Sequence, residues 1–205
     1  AWLLNIRGHD NPNSPIPNCR LLLTKNKKIF IICENQKLNK LIKEKKIKNN
    51  QIIEPQRLKD FFNKIKTGKF IIDSKTCSIF YRNFINSKHK IVKRNDPIYL
   101  LKSIKNESEI NNIIDTHIDD GVALTKFLYW IKVSNKKKIT EVDAQNKLEK
   151  YRKKNKKYLF PSFNTIAGSG ANGAIIHYRA TKKNTKKINK KDLFLCDSGG
   201  QYKYG

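Results

Sequence analysis

Between residues 106 and 128 apolar residues recur every three or four positions: Ile110, Ile113, Ile114, His117, Ile118, Gly121, Leu124 and Leu128. That is the period of one helix face, not of a strand. Asn106 stands where such a helix would start, and Glu109, three residues on, completes a capping-box pair. The spacing predicts a long helix with one buried stripe, and it puts His117 in the core. A second helix is expected from Thr140, with Asp143 as its capping partner and with Ala144, Leu148 and Tyr151 facing inward.

The chain before this helix follows another rhythm. WLLNI (2–6) reads as a short strand, and RLLLTKNKKIFIIC (20–33) as a hairpin turning at TKNKK. QKLNKLIKEKKI (36–47) has helical spacing at Leu38, Leu41 and Ile42. QIIEP is a brief strand. Pro55 suits the first turn of a helix through RLKDFFNKIK, which Gly68 is expected to close. KFIID and HKIVK read as strands flanking a helix over CSIFYRNFIN. The composition changes at Asp96-Pro97. The expected organisation is an α/β domain over 1–96 and a second domain over 97–205, with the boundary in the 97–105 region. Beyond the two helices, FPSFNTIAGSG, GAIIHYRA and DLFLCD read as strands. The fold class is α/β (α+β).

Composition excludes more than it identifies. The net charge is +27, from 44 Lys and Arg against 17 Asp and Glu. Lysine, asparagine and isoleucine dominate together, the residues of A/T-rich codons. The lysines also lie everywhere, and their densest runs, Lys136–Lys138, Lys153–Lys157 and 182–191, fall at expected helix ends and loops. The charge therefore implies weak, salt-sensitive attraction to polyanions, not a specific nucleic-acid partner. Cys19, Cys33, Cys77 and Cys196 form no CxxC pair or zinc spacing and are expected to be free and mostly buried, as in a reducing compartment. No apolar run reaches membrane-span length and no signal peptide opens the chain, so a cytoplasmic location is expected. The chain contains no methionine and stops at QYKYG, which reads as a piece of a longer protein.

Gly168, Gly170 and Gly173 match G-x-G-x-x-G, but AIIHY follows instead of a helix, so a phosphate loop is not expected. The glycines are read as allowing a tight turn and close backbone approach. On a strand, Ile175, His177 and Arg179 would face one way and Ala174, Ile176 and Tyr178 the other. LFLCD carries an apolar run into Asp197, and a carboxylate ending a buried strand must be paired or hold a hard cation such as Mg or Mn.

Three stretches carry a resemblance: AWLLNIRGHD, the run from SIKNESEI through HIDDGVALTKFLYWI, and FNTIAGSGANGAIIHYRA with DLFLCDSGGQYKYG. They resemble the X-prolyl aminopeptidases (aminopeptidase P) of the creatinase, or pita-bread, metallopeptidases, above all the longer cytosolic-type members. The resemblance implies a creatinase-type N-terminal α/β domain followed by the start of a pita-bread catalytic domain. It implies removal of the N-terminal residue from peptides with proline second, by two divalent metal ions, usually manganese. It makes Asp197 the first metal-bridging carboxylate and His177 the residue that hydrogen-bonds substrate near the scissile bond. It also implies a homodimer when full length; from the charge distribution and the short apolar runs, no specific nucleic-acid partner and no membrane partner are expected. The chain departs from the pattern where His9 and Asp10 replace a commoner Ser-Asp pair. The family's Thr-Thr-Asp motif, later histidine and two glutamates would lie beyond Gly205, so the 205-residue piece alone is expected to be inactive. A prolidase-like Xaa-Pro dipeptidase and an inactive truncated homologue with a binding role are the alternatives.

Overall fold

The computed structural model describes residues 1–66, 68–134 and 139–205. The Lys136–Lys138 run lies outside the described residues. The chain divides into two compact units: Ala1–Gly8 with Ile16–Ile104, and His9–Pro15 with Lys105–Gly205.

In the first unit β1 (Arg20–Leu23) and β2 (Ile29–Ile32) form the expected hairpin, in antiparallel register from Arg20 opposite Ile32 to Leu23 opposite Ile29. Lys27 takes a left-handed φ of 59°, and the Thr24 N–H donates to the Lys28 carbonyl at 2.9 Å. The two-residue β3 (Ile52–Ile53) adds to β2 in parallel. Consecutive β2 residues serve opposite faces. Ile31 packs with Leu38 of α1 (Asn35–Lys43), and Ile32 with Leu58 and Phe62 of α2 (Leu58–Asn63). A strand covered on both faces has no polar side, which is why IFII is an unbroken apolar run. A second parallel pair, β4 (Lys69–Ile72) and β5 (Lys90–Lys93), brackets α3 (Ile79–Asn86). Ile72 and Ile85 complete the core around Phe62. The last element of this unit is α4 (Pro97–Ser103), capped by Asp96, whose Oδ1 accepts from the Ile98 N–H at 2.9 Å.

Two local expectations fail here. Trp2–Leu4 is a 3-10 turn, not a strand: Asn5 adopts a left-handed φ of 47° and its N–H returns to the Trp2 carbonyl. Gly68 does not close α2. The helix ends at Asn63, where the Lys64 N–H bonds back to Asp60 and Phe61, and the Gly68 carbonyl instead accepts from Lys90 beside β5.

The second unit is built on α5 (Glu107–Val133) and α6 (Glu141–Arg152), both opened by the expected capping boxes. Asn106 and Glu109 exchange bonds of 2.9 and 3.0 Å, and Thr140 pairs with Asp143 in the same way. Phe127 of α5 packs against Ala144 and Leu148 of α6, all three fully buried. The α5 stripe is a correction. Ala123 and Phe127 are buried, while Ile110, Ile114, Ile118, Leu124 and Leu128 are exposed, Ile118 by 60%. The cause is that α6 covers the face centred on 123 and 127, so the longer apolar stripe is left uncovered among the described residues. His117 is likewise exposed and not in the core, its Nδ1 lying 2.8 Å from the Ile113 carbonyl oxygen.

Two antiparallel pairs follow: β6 (Tyr158–Pro161) with β9 (Gly200–Tyr202), and β7 (Ile166–Ser169) with β8 (Phe194–Asp197). The His9–Pro15 segment belongs to this unit, where the Asn13 carbonyl accepts from Gln201 Nε2 at 3.3 Å. None of the four cysteines is in a disulfide; Cys33 is buried and the other three are half-buried. Among the described residues no helix is long and apolar enough to cross a membrane.

Candidate active site

The β7–β8 ladder sets Ile166 opposite Asp197 and Ser169 opposite Phe194. After β7 the chain does not continue as a strand. Gly170–Ala174 forms a short 3-10 segment that folds back over the ladder. Gly168 makes this possible, because a Cβ there would sit 2.9 Å from the backbone of Asn172 and Gly173. Gly170 begins the reversal with a left-handed φ of 57°. No α-helix follows the glycines, so the phosphate-loop geometry does not form.

The GAIIHYRA strand is therefore replaced by a turn, and with it the alternation of faces. His177 lies in this turn with a left-handed φ of 56° and an exposed side chain. Ile176 is exposed by 85%, while Tyr178, expected on its face, is buried. What overrides the strand signal is a carboxylate that sequence reasoning missed. Glu141, the first residue of α6, is fully buried. Its Oε1 accepts from the Ser169 N–H at 2.7 Å and from Asn172 Nδ2 at 3.0 Å. Its Oε2 accepts from the Tyr178 hydroxyl at 2.9 Å and from the Lys186 N–H at 2.8 Å. Burial pushes the Glu141 pKa up, but these donors outweigh it and hold the carboxyl below its ordinary range. Burial and the same contact push the Tyr178 hydroxyl up to about 12. A glutamate in a first helical turn ordinarily stays in water, so nothing local in the sequence marks this one as a buried node.

A second missed node lies between the helices. Arg152, 2% exposed, holds Asp120 of α5 through two parallel bonds, and Tyr202 of β9 donates to the same carboxylate at 2.6 Å. Burial raises the Asp120 pKa, but the Arg152 and Tyr202 bonds prevail and leave it lowered. These three residues tie α5, α6 and β9 together.

Asp197 is exposed at the last position of β8. The desolvation argument raised by the sequence therefore does not apply to it; its carboxylate is open to solvent. As an anionic oxygen donor it suits a hard divalent cation. It stands as one ligand only, for among the described residues no three His, Cys, Asp or Glu side chains gather as a metal-holding group. His177 and Asp197 thus belong to one ladder-and-turn unit, with exposed side chains and a buried support.

The chain matches two family models: Creatinase/Prolidase N-terminal domain over residues 1–109, and Metallopeptidase family M24 over residues 113–205. It is 33% identical to an Xaa-Pro aminopeptidase of Drosophila melanogaster over 98% of its own length and 34% of the relative's. It is also 33% identical to a probable Xaa-Pro aminopeptidase P of Pyrenophora teres, over all of the chain and 33% of that protein. The chain thus spans about a third of the length of these relatives. Among solved structures it is similar to the X-prolyl aminopeptidase of Caenorhabditis elegans, described as a cytosolic enzyme with a di-nuclear active site. The TM-score is 0.78 at 22% identity, covering 100% of this chain and 35% of that one. The X-Pro aminopeptidase of Thermotoga maritima shares the fold at a TM-score of 0.65 and 20% identity, over 90% of this chain and 50% of its own. With a creatinase/prolidase N-terminal domain joined to the opening of an M24 domain, the chain belongs to the creatinase/prolidase family of metallopeptidases.

Proposed function

We propose that the full protein is a metal-dependent aminopeptidase that removes the N-terminal residue from peptides with proline in the second position. The observation that supports this most is likeness along almost the whole chain to relatives named Xaa-Pro aminopeptidase. In this reading Asp197 is one ligand of a two-metal centre, with manganese as the resident metal. When bound, such a centre supplies Lewis acidity and lowers the pKa of an attacking water.

The chain's own residues contribute placement. The exposed His177 imidazole bonds the substrate backbone beside the scissile bond. The turn that carries it is rigid because Tyr178 and Asn172 are anchored on Glu141. Asp197 projects from a ladder strand instead of a loop, which limits its drift. The full protein is further proposed to be a cytoplasmic homodimer; four cysteines outside any disulfide accord with a reducing compartment.

The test is hydrolysis by the full-length protein supplied with manganese. Release of the first residue from an Arg-Pro-Pro peptide is expected. Cleavage of Xaa-Pro dipeptides alone would make it a dipeptidase, and cleavage of neither would overturn the reading.

A further inference from the structure

The Glu141 carboxylate accepts hydrogen bonds on both oxygens, and three of its donors lie in the segment that carries His177. An ionised carboxylate offers about four acceptor positions, two on each oxygen. Here all four are filled: Ser169 N–H and Asn172 Nδ2 on Oε1, Tyr178 hydroxyl and Lys186 N–H on Oε2. The proton count closes as well. One Asn172 amide proton goes to Glu141 and the other to the Tyr178 oxygen at 2.8 Å. The Tyr178 oxygen also lies 2.9 Å from the Asn184 carbonyl, but its single proton goes to the charged acceptor, the stronger of the two.

The excursion from Ser169 to Tyr178 is thus held at its start, its middle and its end by one carboxylate. His177 precedes the end anchor and has a left-handed backbone, a conformation a non-glycine residue keeps only when its surroundings enforce it. The Tyr178 N–H closes this turn on the Ile175 carbonyl at 3.1 Å, and the Tyr178 side chain, buried on Glu141, fixes where the turn sits. The Lys186 bond attaches the same carboxylate to the following loop, whose Ile188 N–H donates to the Ile139 carbonyl at 2.8 Å.

We infer that Glu141 is a positioning residue for His177: it fixes the turn from which the imidazole reaches substrate, without touching substrate itself. This rests on the proposed peptidase reading for its kinetic consequence, though not for its structural one. A glutamine at 141 cannot replace the carboxylate, because its NH₂ group would face a donor where an acceptor is required.

The test uses the full-length, metal-loaded protein and four variants: Glu141→Gln, Tyr178→Phe, His177→Ala and the Glu141→Gln/His177→Ala pair. Glu141→Gln should lower kcat/KM on a proline-second peptide by about 10- to 100-fold, the scale of a small misplacement at a reacting centre. Metal content should be unchanged. Tyr178→Phe, the milder variant, should give a smaller loss in the same direction. In the His177→Ala background, Glu141→Gln should cause little further loss, since the two act through one contact. Fully additive losses would overturn the inference. The His177 imidazole resonances, read by NMR on the metal-free full-length protein with His177→Ala as the assignment control, supply a readout independent of activity. Glu141→Gln, or Tyr178→Phe where the former does not fold, should shift them. Unshifted resonances would overturn the positioning role, whereas an inactive wild type with shifted resonances would overturn only the peptidase reading.

Discussion

Arg152 grips Asp120 through two parallel hydrogen bonds, Nε to Oδ1 at 2.7 Å and Nη2 to Oδ2 at 3.0 Å. The two partners are not equally hidden: the arginine side chain is 2% exposed and the aspartate 27%. Removing one member of a buried pair strands the other, at about 3–5 kcal/mol. Stranding the more buried charge is worse. Asp120→Ala should therefore destabilise the protein by about 3–5 kcal/mol, and Arg152→Met by less, because Asp120 keeps the Tyr202 hydroxyl and some water. Denaturant melts of both variants decide it, and the reverse ranking would contradict this account.

Glu141 and Asp120 both have pKa values held below their ordinary 4.5 and 3.8. A carboxyl with a lowered folded pKa binds fewer protons folded than unfolded. The stability it contributes is complete above the unfolded value and is lost as pH falls through the folded one. Unfolding free energy should be level above about pH 5 and fall steadily below it. Glu141→Gln should be less stable at neutral pH and show a shallower acid slope. An acid slope unchanged by that substitution would remove Glu141 from the explanation.

Gly168 and Gly170 should respond differently to alanine. At 168 the added Cβ meets backbone atoms of Asn172 and Gly173 at 2.9 Å, which no side-chain rotation can relieve. At 170 the obstacles are the left-handed φ and the Asp192 side chain, which can swing away. Gly168→Ala is expected to destabilise by about 1–3 kcal/mol through overpacking and to disturb the His177 turn. Gly170→Ala should cost about 1–2 kcal/mol and leave the turn in place. Equal effects on both stability and turnover would show that the backbone approach at 168 is not special.

His177→Ala and Asp197→Asn separate the two proposed roles. In the full-length protein, His177→Ala should reduce turnover on a proline-second peptide while metal content is kept. Asp197→Asn should reduce metal content itself, measured by elemental analysis after gel filtration. Loss of metal from the histidine variant would reverse the assignment. The 1–205 chain alone, with one candidate metal carboxylate, is expected to show no cleavage with added manganese.

Features that depend on neighbours in the chain were legible before any fold was seen. The hairpin at 24–28 and the capping boxes at Asn106/Glu109 and Thr140/Asp143 follow from short-range periodicity and donor–acceptor spacing. So does the unbroken apolar run of β2, which is covered on both faces. The family resemblance was legible too, because its motifs are contiguous. The rest depended on which distant elements pack together. The stripe on α5 has helical period whether or not anything covers it, and only the position of α6 shows that Phe127, not Ile118, lies inside. AIIHY has the β-branched character of a strand, yet it turns. A carboxylate more than thirty residues away captures Asn172 and Tyr178, and charge-assisted hydrogen bonds at a buried carboxylate outweigh a context-dependent strand preference of up to about 1 kcal/mol per residue. His177 was visible as a candidate from its neighbours; the buried acid that holds its turn became visible only when distant residues met.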